Sequence, residues 1–168
     1  MKITMILFIP FLVQGLAIFF DEFYFHLKRG LPKWERIGHP LDTLSVVACL
    51  LYAILAPYSY LGCFGYAALA TFSTLFVTKD EWVHNKHCDA TEQWLHALLF
   101  VNHPIALISA GLMWAKIGQS NSLPTSNWAT SWFDSSPLFS PFLTIQFILM
   151  ALFFFYQIIY WNLLWKKK

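Results

Sequence analysis

Charge is what this sequence has least of: Asp, Glu, Lys and Arg make up only 12% of its 168 residues, where a soluble domain carries roughly a quarter. Set against 58% hydrophobic residues, that shortage excludes an ordinary water-soluble domain, because one small core cannot hide so much apolar surface. A net charge of +2 and the lack of any long basic tract give no electrostatic footing for a nucleic-acid partner. Cysteine is scarce as well. Cys49, Cys63 and Cys88 make no disulfide framework, and the first two sit inside apolar runs as small packing residues. The surroundings left for such a chain are membrane lipid.

What the sequence does have is long apolar runs. A helix needs roughly 20 apolar residues to cross the hydrocarbon layer. Residues 1–20 supply the first run, and helix is expected to continue to Arg29, with Gly30 as its C-terminal cap. Further runs cover residues 41–57, 58–77, 94–117 and 141–165, the second and third parted only by the turn-like PYSYLG. The predicted fold is an all-α integral membrane protein, a single transmembrane domain over residues 1–168 with about five helices. One basic residue before the first run and no A-x-A site before Asp21 favour a retained span over a cleaved signal peptide.

Lysine and arginine in short loops set orientation. Lys28, Arg29, Lys33 and Arg36 follow the first span, Lys79 and Lys86 follow the third, and Lys166, Lys167 and Lys168 end the chain. In a five-span chain these all fall on one side. The other side holds Lys2, Lys116, the PYSYLG turn and a Ser/Asn/Trp-rich outer loop at residues 118–140. The N-terminus is therefore expected outside and the C-terminus inside.

The ionisable residues are not spread evenly. Eight of the nine acids and all six histidines fall in two windows, residues 21–42 and 80–103, both on the expected cytoplasmic side. Solubility alone would have furnished both faces alike. The windows also resemble each other: DEFYFH and then WERIGHP in one, DEWVH and then EQWLH and VNHP in the other. That likeness suggests an internal repeat in which helix pair 1-2 matches pair 3-4.

Residues four apart stack on one helix face, about 40° from alignment. Glu22 with His26, Asp80 with His84, and Glu92 with His96 meet that spacing at three helix ends. His87 lies near the face of His84, and His103 returns to the face of His96 two turns deeper. Glu35 and His39 share the spacing, although Pro40 disfavours helix at His39. Asp42 opens the second span. Glu81 and His84 alone match the Glu-x-x-His spacing by which helix bundles build two-metal carboxylate sites. The expected ligand pool is Glu22, His26, Glu35, His39, Asp42, Asp80, Glu81, His84, His87, Glu92, His96 and His103. Asp21, Glu81 and Glu35 are also suited to orienting ligands or carrying protons from outside the first layer. Imidazole mixed with carboxylate suits iron, with zinc or manganese as alternatives.

Each of these residues has a plainer reading. Asp89 followed by Glu92 is a capping box for the fourth helix. Lys28 and Arg29 suit a helix C-terminus and need no function. Asp21 and Glu22 could end the first span at the interface, His39 could cap the second, and His103 could be a hydrogen-bonded histidine beside Pro104. Trp34, Trp82, Trp94, Trp128 and Trp132 mark the membrane surfaces. His84, His87 and Cys88 could form part of a structural zinc site, but a fourth ligand is missing from the segment.

The expectation for function is a membrane metalloenzyme, with two ions, iron favoured, activating dioxygen or water beside a lipid-soluble substrate and fed by an electron donor. The His-x-x-His-His elements of membrane fatty-acid desaturases and hydroxylases are absent. A haem held by two of His26, His84, His96 and His103 is the first alternative, though haem pockets do not call for so many carboxylates. Divalent-metal transport is the second, and Gln14, Gln146, Gln157 and Asn162 are too few to mark a polar route across the membrane.

Overall fold

A computed structural model describes residues 3–81, 88–120 and 134–165, apart from the side chains of Ile3, Asp80 and Ser120. Among the described residues the chain is all helical and has no strand. Five helices are long and apolar enough to cross a membrane: α1 (Thr4–Arg29), α2 (Lys33–Leu55), α3 (Tyr60–Lys79), α4 (Ala90–Gln119) and α5 (Phe139–Leu164). His84, His87 and most of the outer loop lie outside the described residues.

Burial is distributed as lipid requires. Leu61 is 80% exposed and Leu152 62%, whereas Glu35 is fully buried and Glu22 is 2% exposed. A bundle with leucine outside and glutamate inside is stable only where the surrounding solvent is hydrocarbon. The arrangement is that of a multi-pass membrane protein.

Helix ends follow local chemistry. Gly30 adopts φ 73° and closes α1 with a bond from its N–H to the His26 carbonyl at 2.8 Å. Ser59 caps α3 by accepting from the Gly62 N–H at 3.0 Å. Asp89 accepts the Glu92 N–H at 2.9 Å, so half of the expected capping box forms. The Glu92 carboxylate is directed elsewhere.

Two boundaries differ from the sequence expectation. Helix α2 begins at Lys33, eight residues before the apolar run, and passes straight through Pro40. Proline frees the carbonyl four residues earlier, and here the Arg36 carbonyl accepts from Asn162 Nδ2 at 3.3 Å. A donor from α5 therefore lets the helix continue, and Glu35 and His39 share a face after all. Helix α4 likewise starts at Ala90, so Glu92 and His96 both lie in its first turns.

The second and fifth helices pack most extensively, the first lies against the fourth, and the third against the second and fourth. One half of the bundle holds an apolar core that includes Leu50, Met113, Trp114, Phe139 and Leu143. The other end collects buried acids and histidines.

Candidate metal centre

The end of α1 is wound as a π-helical turn over Asp21–His26. Such turns take one more residue than an α-turn and recur at functional sites. The wider turn brings both Asp21 and Glu22 to one imidazole. His26 Nδ1 lies 3.3 Å from Glu22 Oε2, and Nε2 lies 3.3 Å from Asp21 Oδ2 and 3.8 Å from Glu92 Oε1. Yet Nε2 makes no hydrogen bond of acceptable geometry, although His26 is only 1% exposed. A neutral ring protonated at Nδ1 would turn the Nε2 lone pair toward those two carboxylates, the pose of a metal-ligating histidine oriented from behind by an acid.

Helix α4 supplies the facing side. His96 Nε2 lies 3.0 Å from Asp21 Oδ1, so the Asp21 carboxylate spans the two imidazoles. One ligand atom from each of Asp21, His26, Glu92 and His96 falls within 4.8 Å of the others, and all four residues are buried. A second group, His26, Glu35 and His39, shares the first imidazole, with the His26 and His39 rings 4.9 Å apart.

Arg29 links the groups. Its Nη2 lies 2.8 Å from both Glu35 Oε2 and Glu92 Oε1, and its Nε donates to Glu92 at 3.0 Å. Four buried carboxylates, Asp21, Glu22, Glu35 and Glu92, thus face a single guanidinium among the described residues. Buried carboxylates need positive charge close by, which Arg29, imidazole protons or a bound cation could supply.

The other expected ligands fall in several places. Asp42 pairs with Lys79 at the edge of the cluster, where Lys79 also donates to the Gly38 carbonyl at 3.4 Å. His103 lies deeper, joined through Ser73 to Ser45. Glu81 is exposed. The backbone of Asp80 ends α3, and His84 and His87 lie outside the described residues. Cys88 receives a long contact from Arg29 at 3.6 Å, and burial pushes its thiol up to about 12, so it stays protonated.

Three participants escaped the sequence reading in these roles. Asp21, expected outside the first layer, belongs to the four-residue group, while Glu22 falls on the far nitrogen of His26. Arg29 carries a central cation. Trp161 of α5, 1% exposed, donates its indole N–H to Glu22 Oε1 and fixes that acid in turn. Trp161 stands near the end of its span, where a tryptophan reads as an interfacial residue, so nothing in the sequence singled it out.

A cavity of about 110 Å³ lies on the membrane side of the cluster and is lined from all five helices. No family model, curated protein or solved structure matches this chain.

Proposed function

We propose that this chain is an integral-membrane metal-dependent oxidoreductase acting on a lipid-soluble substrate, with a separate electron donor. One ion would be held by Asp21, His26, Glu92 and His96, and a second beside Glu35 and His39. The observation that carries this reading is His26 Nε2, buried, without a hydrogen bond, and aimed at two carboxylates while Glu22 holds the opposite nitrogen. Two imidazoles with carboxylates suit iron first, then manganese and zinc. Because His26 has one free nitrogen, a second ion would rely on Glu35, His39 and a bridging carboxylate. Arg29 would have to leave Glu35 to admit it.

A haem is less well supported, because Asp21 occupies the space between His26 and His96 that a macrocycle would need. Transport is less well supported because an apolar core fills the opposite half of the bundle. The bias of lysine and arginine supports a cytoplasmic site in the cell (inner) membrane, with the N-terminus outside and the C-terminus inside.

Elemental analysis with an absorption spectrum tests the proposal. Purified protein should carry about two irons per chain, as carboxylate-bridged bundle sites do, and show no Soret band. His26→Ala and His96→Ala should each abolish most of the bound metal. A Soret band, or metal content indifferent to both substitutions, would overturn the reading.

A further inference from the structure

Gln14 and Gln157 are polar residues at membrane depth on α1 and α5, and both line the cavity beside the metal cluster. Their orientation follows from their partners. Asn102 Nδ2 donates to the Pro10 carbonyl at 2.8 Å, which fixes that atom as the nitrogen, so the Gln14 atom 2.7 Å from it is the oxygen. Thr43 Oγ1 donates to Gln157 Oε1 at 2.7 Å. Each amide therefore has its oxygen engaged and its NH2 without a partner among the described residues. Gln157 is 4% exposed, and neither nitrogen is sealed in by protein atoms.

His103 completes the wall, and its tautomer can be deduced. The Ser45 hydroxyl donates to the Asp42 carbonyl at 2.7 Å, which uses its only proton. Ser45 must then accept from Ser73 at 2.7 Å, and Ser73 must accept from His103 Nε2–H at 3.0 Å. His103 is left with an unprotonated Nδ1, again with no partner among the described residues. Buried polar groups are nearly always hydrogen-bonded, so two donors and one acceptor bordering one cavity ask for a ligand that both accepts and donates.

We propose that this cavity binds the hydroxyl end of a single-chain lipid, a long-chain primary alcohol. Gln14 and Gln157 donate to its oxygen, and the hydroxyl donates to His103 Nδ1. The inference rests on the proposed oxidoreductase and names its substrate class. A carbonyl would satisfy the amides but leave His103 without a donor, and a carboxylate would do the same while adding negative charge beside the acidic cluster. Size limits the choice too. The cavity holds about 110 Å³, less than the cavity of about 150 Å³ known to take up benzene, so a chain end suits it better than a ring headgroup. Ile18, Leu99 and Phe153 give the chain apolar walls.

The test is saturable binding of radiolabelled 1-dodecanol to full-length protein in phosphatidylcholine vesicles, with protein-free vesicles as the blank. Dodecyl methyl ether, which accepts but cannot donate, should bind about tenfold more weakly, as loss of a buried hydrogen bond implies. n-Dodecane should bind more weakly still. Gln157→Met and His103→Phe should each reduce alcohol affinity by about tenfold. Gln14→Met, which leaves Asn102 its Pro10 carbonyl, guards against a folding defect and should act alike. Equal binding of alcohol, ether and alkane would overturn the proposal. Elemental analysis of the same sample separates this site from the metal reading. A metal-loaded chain that does not bind the alcohol removes the alcohol site; a metal-free chain that binds it keeps the site and removes the metal centre.

Discussion

Replacing Arg29 by methionine tests the electrostatics on which the centre depends. Methionine keeps much of the side-chain length, so packing changes little, but the only described cation between Glu35 and Glu92 is lost. Arg29 contacts those carboxylates at 2.8 Å each, and their side chains are 0% and 3% exposed. Removing one partner of a buried ion pair destabilises by about 3–5 kcal/mol, whereas replacing the whole set by neutral groups is often close to neutral. Arg29→Met alone should therefore lose about 3–5 kcal/mol in metal-free protein, and Arg29→Met combined with Glu35→Gln and Glu92→Gln should recover most of it. Reversible unfolding in mixed SDS micelles, followed by tryptophan fluorescence, measures both. If the carboxylates are metal ligands, a divalent ion at a hundred times its dissociation constant should restore about 2.7 kcal/mol to the single variant. A loss below about 1 kcal/mol for Arg29→Met, or a triple variant no more stable than the single one, would refute the argument from unmatched buried charge.

Three further outcomes are expected. Glu22→Gln should weaken metal binding about 10- to 100-fold in a chelator competition, because the Glu22 carboxylate holds His26 through Nδ1; an affinity within twofold of the parent would contradict that role. Gly30→Ala should lower thermal stability by about 1–2 kcal/mol or more, since Gly30 has φ 73° and an added Cβ would lie 2.6 Å from the Trp165 ring; an unchanged melting temperature would count against the tight α1–α2 turn. The Cys88 thiol, held near 12 by burial, should be alkylated slowly at neutral pH, with a rate still rising about tenfold per pH unit up to pH 9. Since its ordinary value is 9.0, its contribution to stability should be constant below about pH 9 and fall between there and about 12, as the folded state favours the neutral thiol. An alkylation plateau near pH 8.5, with Cys88→Ser as the control for Cys49 and Cys63, would show the thiol to be ordinary.

Much of the centre was legible because membrane burial makes polar residues conspicuous. The i,i+4 pairs Glu22–His26 and Glu92–His96 sit on helix ends that do converge, and Glu35 joins them. What spacing could not reveal was the work each atom does. An ideal α-turn aligns Glu22 with His26 and leaves Asp21 to one side, but the π turn brings both acids to the ring and gives Asp21 the inner nitrogen. Pro40 signalled a break at His39, and only a donor arriving from α5, more than a hundred residues away, cancels it. Arg29 resembled any cation at a helix C-terminus, because its partners Glu35 and Glu92 lie on other helices.

By itself, the sequence determined the solvent of this protein, its five apolar helices, and the gathering of acids and histidines at one end. Those properties depend on the chemistry and local periodicity of neighbouring residues. The tertiary structure alone decided which imidazole nitrogen faces which carboxylate, which cation stands between them, and which way two glutamine amides point into the cavity. Each of these depends on side chains from different helices meeting within hydrogen-bond distance, and no local pattern along one chain encodes that meeting.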